Sequence, residues 1–345
     1  MNSLKKLIIF MIVSFKLLIY IINQTISNSS IITYLYLLTI VILSLPFLLK
    51  LKFDKKLFIR VAIISLISFM MFAIYKEDNI FLYTIAALIT TDVKKEDIVK
   101  TFFYSGIIIY LFTLILGALN VLPISEVYRT IDGNSEIRTS LGFPNANAVF
   151  TYFVPIVLAG LYLYNKKLLY SVIMIIIATI LYGSCKSRTG YYLTLIILIV
   201  NLLPKKIIIE KVGNKQFVLF TIISIIIAVF FGGSKHNVVN EILSGRPWYY
   251  LQFLKQSVFT WGFGVNNGLI LDNLYLRLLA NYSIIGYLLY LYVYTKGLSL
   301  SKDDKYLLFS SFFLLLYGVF EAVTVINFVI VILLSNIFEG IYEEN

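Results

Sequence analysis

Five of the six arginines lie in polar segments that separate long apolar runs. They are Arg129, Arg138, Arg188, Arg246 and Arg277. A guanidinium group keeps its charge and can hold a phosphate or a carboxylate through two parallel hydrogen bonds. The arginines therefore predict a site for an anionic ligand, unless they pair with acidic residues of the same segments. Those acids are Glu126, Asp132, Glu136, Glu241 and Asp272.

Arg188 is the arginine for which the sequence offers the fewest acidic partners. It lies in Ser184-Cys-Lys-Ser-Arg-Thr-Gly190, between two apolar runs, with no acid nearby in the sequence. An unpaired cation at a membrane-embedded turn is costly and usually serves function. We therefore expect Arg188 to contact the ligand.

The segment Asp272-Asn-Leu-Tyr-Leu-Arg277 offers a second kind of chemistry. Asn273 and Arg277 are four residues apart, so they share one face if the segment is helical. Asp272 is either the N-cap of that helix or a general base. The earlier segment Ser244-Gly-Arg-Pro247 is typical of a turn that enters a helix, with its proline near the first helical position.

A third segment, Gly142-Phe-Pro-Asn-Ala-Asn147, combines turn-forming residues with two side-chain amides. Asn145 and Asn147 can both cap the helix that follows, and capping is the interpretation we favour for Asn147. The same amides could also hold the hydroxyl groups of a sugar.

The sequence gives little support to metal or redox chemistry. His236 is the only histidine and Cys185 the only cysteine, which excludes a histidine-rich metal site and an internal disulfide. No clustered pair of aspartates offers a metal site. We expect no metal and no other cofactor.

These residues must be positioned by helices in a membrane. The chain is 60% hydrophobic and 14% charged, with a mean hydropathy of +0.90, which is too apolar for a soluble domain. Apolar runs of roughly 17–22 residues recur, and each is long enough to cross ~30 Å of hydrocarbon. We predict an all-α, polytopic integral membrane protein, a single transmembrane domain over 1–345 with about 12 helices. The predicted spans are 4–22, 31–49, 57–75, 79–92, 101–120, 147–164, 168–184, 190–203, 217–233, 273–294, 306–320 and 323–340.

The distribution of lysines predicts the orientation of these spans. With 12 spans, the lysine-rich segments 50–56, 94–100, 166–167, 205–215 and 296–305 lie on one side together with Lys5-Lys6. The positive-inside rule makes this side the cytoplasm, so both termini are cytoplasmic and the protein lies in the cell (cytoplasmic or inner) membrane. The net charge of +11 then reflects orientation and not nucleic-acid binding. The arginine segments fall on the other side, in a first outer loop over 121–146, a second over 234–272, and short turns.

In this order, several motifs over roughly residues 100–300 resemble the O-antigen polymerase (Wzy) and O-antigen ligase family. The motifs are Arg138 with Gly-Phe-Pro-Asn-Ala-Asn147, Ser187-Arg-Thr-Gly190, Ser244-Gly-Arg246, Gly262-Phe-Gly264, and Asp272-Asn-Leu-Tyr-Leu with Gly286. The resemblance implies a fold like that of the glycosyltransferase C class. It also implies a metal-independent polymerase of capsular or exopolysaccharide repeat units. Such an enzyme transfers a growing glycan from undecaprenyl pyrophosphate onto a lipid-linked oligosaccharide repeat at the outer face of the membrane.

The resemblance also implies roles for individual residues and partners. The expected catalytic residues are Asp272, Arg246 and Arg188. The expected substrate-binding residues are Arg138, Arg277, Asn145, Asn273 and His236. The four arginines of these two sets would hold the pyrophosphate. A flippase and a chain-length regulator are possible partners.

Two other functions stay open from the sequence. A ligase of the same family would move finished glycan to another acceptor, although such ligases carry His-Asn where this chain has Asp272-Asn273. A transporter for lipid-linked oligosaccharides would place charged or helix-breaking residues at mid-membrane in two repeated halves. The sequence shows no such repeat, and its polar candidates gather near one face.

Overall fold

The computed structural model describes residues 3–13, 30–49, 55–75, 78–131, 134–164, 168–203, 215–234, 243, 245–258, 272–321 and 327–339. These residues are mostly helical. The helices, numbered here in chain order, are α1 (3–13), α2 (Ser30–Leu48), α3 (Lys55–Tyr75), α4 (Asn79–Ile89), α5 (Lys95–Ala118), α6 (Ala146–Leu163), α7 (Leu168–Cys185), α8 (Arg188–Leu202), α9 (Gln216–Phe231), α10 (Arg246–Val258), α11 (Leu274–Asn281), α12 (Ser283–Ser299), α13 (Lys305–Gly318) and α14 (Phe328–Glu339). Two strands, β1 (Glu126–Ile131) and β2 (Asn134–Thr139), lie between α5 and α6.

The described helices have the length and surface of membrane helices. Four of them, α3, α5, α6 and α7, are long and apolar enough to cross a membrane. The outward side chains of α3 include Phe58, Ile63 and Phe69, each at least half exposed. Rows of large apolar side chains on an outer surface are expected where that surface meets lipid. The prediction of a membrane protein built from helices is therefore supported, while the number of spans stays a prediction.

Several predicted spans agree with the observed helices to within two residues at each end. The span predicted over 147–164 is α6, and the one predicted over 168–184 is α7. The span predicted over 79–92 is shorter, because α4 ends at Ile89 and contains 11 residues. A helix of that length rises only ~16 Å, about half the thickness of the hydrocarbon core. A crossing at this point stays a prediction.

The described chain forms two compact units. Unit 1 contains Met1–Leu51, Leu88–Ile207 and Val325–Phe328, and unit 2 contains Lys52–Ala87, Ile208–Thr324 and Val329–Asn345. The core of unit 1 lies along α6, which packs against α5, α7 and α8. Gly190 of α8 lies so close to Phe150 of α6 that a methyl group there would come within 2.2 Å of the phenylalanine Cβ. Close helix packing at this point therefore depends on the glycine.

The segment between β2 and α6 is held tightly against the end of α5. Gly142 has φ +86, and a Cβ at this residue would lie 2.9 Å from both the Gly117 Cα and the Thr113 carbonyl oxygen. Glycine adopts positive φ without steric cost, and its missing side chain permits this approach. Asn145 then starts α6, because its side chain accepts a hydrogen bond of 2.9 Å from the Ala148 amide.

The segment predicted as the first outer loop contains a β-hairpin that the sequence analysis did not predict. β1 and β2 pair antiparallel, with Val127 opposite Arg138. At the base of the hairpin, the Ser125 amide donates to the Ser140 hydroxyl at 2.9 Å. The sequence contains a signal for this structure, since Asp132-Gly133 between residues of high β propensity is typical of a two-residue hairpin turn. Residues 132–133 themselves lie outside the described residues.

Unit 2 has its most buried side chains in α11, α13 and α14. Phe217 of α9 contacts Tyr275 of α11 and stacks on Tyr294 of α12, with ring centroids 5.2 and 5.4 Å away. α9 also packs against α10, α11 and α13. These contacts bring the C-terminal end of α9, the N-terminal ends of α10 and α11, and the C-terminal end of α13 to one end of the unit.

The span predicted over 273–294 is not one helix. α11 ends at Asn281, and α12 begins at Ser283, whose φ of +69 is left-handed. The correction has a physical reason, since a residue with positive φ cannot continue a right-handed helix. No proline or glycine marks the break in the sequence. α11 is thus a separate element, which begins directly after Asn273 and carries Arg277.

Candidate functional site

In unit 1, the hairpin places Arg138 against the first turn of α6. The Arg138 guanidinium donates a hydrogen bond of 2.6 Å to Oδ1 of Asn147 and one of 3.5 Å to the carbonyl oxygen of Cys185. Ser187 donates to the same Asn147 oxygen at 3.3 Å. One amide oxygen therefore joins the hairpin, α6 and the turn between α7 and α8.

Asn147 does not cap α6, and the interpretation that favoured this role is wrong. The N-cap is Asn145, with extended backbone geometry and a side chain bonded to Ala148. The helix begins one residue earlier than predicted, so Asn147 falls within its first turn and its side chain is available to Arg138. The predicted contact of Asn145 with substrate stays a prediction.

The turn between α7 and α8 carries the two cations of the Ser184–Gly190 segment. Lys186 has φ +50, and α8 begins at Arg188 after a Ser187 N-cap whose side chain makes no capping bond. The Arg188 guanidinium lies 3.7 Å from the Glu136 carboxylate of β2. The expectation that Arg188 has no acid nearby was therefore wrong, because pairing of β1 with β2 brings a residue 52 positions away along the chain into contact.

An aromatic stack fixes the same turn. The rings of Tyr182 and Tyr191 lie nearly parallel, with centroids 4.4 Å apart, and the Lys186 ammonium lies 5.6 Å from the Tyr182 ring centre. Tyr182 thus contacts a second ring and a cation, an arrangement that stabilises both partners. Lys186 was not among the predicted site residues, although it stands in a segment that the sequence singled out.

The described side chains of this cluster carry more positive than negative charge. Arg138, Lys186 and Arg188 are cationic, and Glu136 is the acid that pairs with Arg188. The cluster also lies at the N-terminal ends of α6 and α8, where helix dipoles favour anions. The Arg188 side chain is 44% exposed, so a ligand can reach it, whereas the Glu136 oxygen that faces it is buried. The arrangement is suited to hold a phosphate or diphosphate group.

In unit 2, Arg246 lies between two carboxylates. Its Nη2 donates a hydrogen bond of 2.5 Å to Oε1 of Glu321 and lies 3.7 Å from Oδ2 of Asp272. The side chains of Arg246 and Glu321 are 14% and 5% exposed, whereas that of Asp272 is 46% exposed. The sequence analysis missed Glu321, which stands 75 residues away in a predicted short turn.

The electrostatics of this group keep Arg246 charged. Burial disfavours the guanidinium ion, but the negative charges of Glu321 and Asp272 outweigh burial and raise the pKa of Arg246 above its ordinary value. Burial raises the pKa of the Tyr250 phenol, so this side chain is neutral and can donate its proton. The Tyr250 hydroxyl donates to the backbone carbonyl of Asp272 at 3.3 Å.

Asn273, and not Asp272, caps α11. Its Oδ1 accepts from the Leu276 amide at 2.9 Å, and its Nδ2 donates to the Ser224 hydroxyl at 3.0 Å and to the Val319 carbonyl at 2.7 Å. The side chain is completely buried. Asn273 thus joins α11, α9 and the end of α13. Its capacity for hydrogen bonds is used by the fold, which favours a structural role over a contact with a ligand.

Arg277 points toward the break between α11 and α12. Its Nε donates to the Tyr282 hydroxyl at 2.9 Å, and its guanidinium lies 5.5 Å from the centre of the same ring. His236 and the Gly262–Gly264 motif lie outside the described residues. Within the described ranges, the groups of His, Cys, Asp and Glu include no set of three that could hold a metal ion.

The predicted site residues therefore fall into two groups. Unit 1 brings Arg138 and Arg188 together around Asn147, and unit 2 brings Arg246 and Asp272 together around Glu321. Comparisons of the chain with protein-family models, with curated proteins and with solved structures found no match.

Proposed function

We propose that this chain is a polysaccharide polymerase of the O-antigen polymerase type. It transfers a growing glycan from undecaprenyl pyrophosphate onto a lipid-linked oligosaccharide repeat. The proposal includes the finer membrane arrangement, with about 12 spans, cytoplasmic termini and a site at the outer face. It is supported by the ordered motifs of the sequence and by the segregation of arginines from lysines.

The observation that carries the proposal is the cationic cluster of unit 1. Three cationic side chains surround a turn between apolar helices, and Glu136 is the acid that pairs with one of them. A lipid-linked diphosphate combines a polyanionic group with an apolar chain, and this cluster stands where apolar helices end. Each charge-assisted hydrogen bond to a phosphate contributes about 1.5–3 kcal/mol.

The chemistry of the transfer fits such a cluster. A hydroxyl of the acceptor attacks the anomeric carbon of the donor, and the bond from that carbon to the diphosphate oxygen breaks. The diphosphate leaves with the electron pair, so its growing negative charge is the charge that the protein has to stabilise. Fixed guanidinium groups supply that stabilisation without reorganisation during the reaction.

The test is reconstitution of the full chain in liposomes with a lipid-linked repeat unit. We expect a ladder of lipid-linked products that differ by one repeat. We expect Arg138→Ala and Arg188→Ala to abolish the ladder at normal protein levels. Asp303→Asn, which alters an exposed carboxylate in the turn before α13, is the control and should leave the ladder unchanged.

Other outcomes separate the alternatives. Movement of the lipid-linked repeat across the bilayer without elongation would establish a transporter and contradict a polymerase. Transfer of preformed polymer to a different acceptor would establish a ligase. Arg188→Lys keeps the charge and loses bidentate binding, so we expect it to retain only a small part of the activity.

A further inference from the structure

The three charged side chains of unit 2 differ in how deeply they are buried. Glu321 is 5% exposed, Arg246 is 14% exposed and Asp272 is 46% exposed. The buried pair is joined by a hydrogen bond of 2.5 Å, whereas Nη2 of Arg246 lies 3.7 Å from Oδ2 of Asp272, which is beyond hydrogen-bonding distance. Arg246 is thus fixed from behind by Glu321, and Asp272 stands at the accessible side.

The charges of this group argue against a role in holding diphosphate. One guanidinium faces two carboxylates, so the three side chains together repel an anion when both acids are ionised. A buried guanidinium whose charge is already matched by a buried carboxylate gains little from a second anion. The cationic cluster of unit 1 has the opposite balance.

The backbone at the Asp272 carbonyl and at the residue that follows it is held in place. Tyr250 donates to the Asp272 carbonyl oxygen, and the buried Asn273 side chain bonds to three separate elements. An accessible carboxylate on a fixed backbone, beside a fixed guanidinium, is the arrangement expected of a group that has to meet a reacting atom with a defined geometry.

We propose that Glu321 is a positioning residue, which fixes Arg246 so that Arg246 orients the Asp272 carboxylate toward the acceptor hydroxyl. In the transfer, the O–H bond of the acceptor breaks and its proton passes to Asp272. The oxygen forms a bond to the anomeric carbon, and the diphosphate leaves with the electron pair of the broken C–O bond. The inference rests on the proposed function and adds Glu321 and a non-phosphate role for Arg246.

The first arm of the test measures the accessibility of the two carboxylates and does not depend on enzymatic activity. The full chain in detergent is treated with a carbodiimide and glycine ethyl ester, and the modified carboxylates are quantified by mass spectrometry. Following the exposed fractions, we expect modification of Glu321 to be about tenfold slower than that of Asp272. Equal rates would overturn the arrangement on which the inference depends.

The second arm measures kcat and KM for the lipid-linked repeat in liposomes. We expect Asp272→Asn to lower kcat by about 10²–10⁴-fold, as loss of a general base does. We expect Glu321→Gln to lower kcat by about 10- to 100-fold through misplacement of Asp272, with KM unchanged. The double variant should be no slower than Asp272→Asn alone, because Glu321 acts through Asp272.

Two further variants and a folding assay serve as controls for the kinetic measurements. Glu321→Asp retains the charge with a shorter reach, and we expect its kcat to lie between those of the wild type and Glu321→Gln. The control Asp303→Asn should behave as the wild type, and thermal unfolding shows that each variant is folded. A wild-type kcat in Glu321→Gln, a raised KM, or multiplied losses in the double variant would overturn the inference alone. A wild-type chain that makes no polymer would overturn the proposed function and this inference with it.

Discussion

Arg138 of the hairpin and Asn147 of α6 are joined by a hydrogen bond of 2.6 Å, which attaches the hairpin to the core of unit 1. The same Asn147 oxygen accepts from Ser187 in the turn before Arg188. The position of the cationic cluster thus depends on a neutral side chain.

The first prediction concerns Asn147. Asn147→Ala removes the acceptor of a charge-assisted bond worth about 1.5–3 kcal/mol, so Arg138 is no longer held in the cationic cluster. With farnesyl pyrophosphate as the probe for an isoprenoid diphosphate, we expect the Kd to rise at least tenfold. Asn147→Asp keeps an acceptor but adds a negative charge beside Arg138, so we expect weaker binding again with the hairpin still attached. Protection of Ser140 and Thr139 amides from hydrogen exchange reports the attachment. Equal Kd values for the wild type and both variants would contradict the role of this amide.

The second prediction concerns Glu136, whose replacement should strengthen ligand binding and not weaken it. Glu136→Gln removes the carboxylate 3.7 Å from Arg188 and leaves a neutral side chain of the same size. Partly exposed ion pairs are worth about 0.2–1 kcal/mol, so we expect the Kd for farnesyl pyrophosphate to fall by up to about fivefold. The gain should shrink at high salt, because screening weakens exposed charges. Weaker binding in Glu136→Gln would show that the acid supports the cluster and does not compete with the ligand.

The third prediction compares two helix caps. Asn273→Ala removes a cap from a fully buried site and leaves the Val319 carbonyl and the Ser224 hydroxyl without this partner. We expect a loss of about 2–4 kcal/mol in the free energy of unfolding. Asn145→Ala removes a cap of the same 2.9 Å length from an exposed position, and should cost only about 0.5–2 kcal/mol. Thermal unfolding in detergent measures both, and equal losses would contradict the structural role of Asn273.

The fourth prediction concerns the glycine at the base of the hairpin. Gly142→Ala places a methyl group 2.9 Å from the Gly117 Cα at a φ of +86, so we expect a loss of more than about 1 kcal/mol in stability. The matched control is Gly183→Ala in α7, where a Cβ would meet nothing within 4 Å. Alanine favours a helix over glycine by about 1 kcal/mol, so the control should be neutral or stabilising. A melting temperature for Gly142→Ala at or above that of the control would be evidence against the close contact.

The fifth prediction tests the buried pair of unit 2. Arg246→Met leaves the Glu321 carboxylate buried without its partner, and we expect a loss of about 3–5 kcal/mol. Arg246→Met combined with Glu321→Leu removes both charges, and should recover most of that stability. Unfolding by heat or by a denaturing detergent compares the two variants with the wild type. A double variant no more stable than Arg246→Met would show that the pair does not account for the loss.

The elements that the sequence predicted well are those set by local chemistry. The bounds of α6 and α7 follow from uninterrupted apolar runs, and α10 begins beside Pro247 as the turn signal indicates. The hairpin was missed because residues 126–139 contain neither an apolar run nor a clean alternation, so the Asp132-Gly133 turn between strand-forming residues is the main local signal. The break at Ser283 was missed for a different reason, since the preference of Asn281 and Ser283 for caps and turns is only a weak local signal.

The site residues that the sequence missed are brought in by distant parts of the chain. Glu321 stands alone in an apolar stretch, which is itself a signal, but only the packing of α10 against the end of α13 shows that its partner is Arg246. The pairing of Glu136 with Arg188 depends in the same way on the hairpin. Residue types indicate which side chains carry charge, and tertiary contacts decide which of these charges are paired with an opposite charge.

The separation of 75 positions between Arg246 and Glu321 also imposes an order on biosynthesis. Arg246 leaves the ribosome first, and its permanent partner becomes available only when the end of α13 has been translated. Until then, Asp272 is the only one of its two carboxylate partners that has been translated, and the guanidinium lacks Glu321, which is bonded to it in the finished protein. We therefore expect nascent chains that stop short of α13 to expose an incompletely matched cation, a feature by which membrane quality control can recognise an unfinished protein.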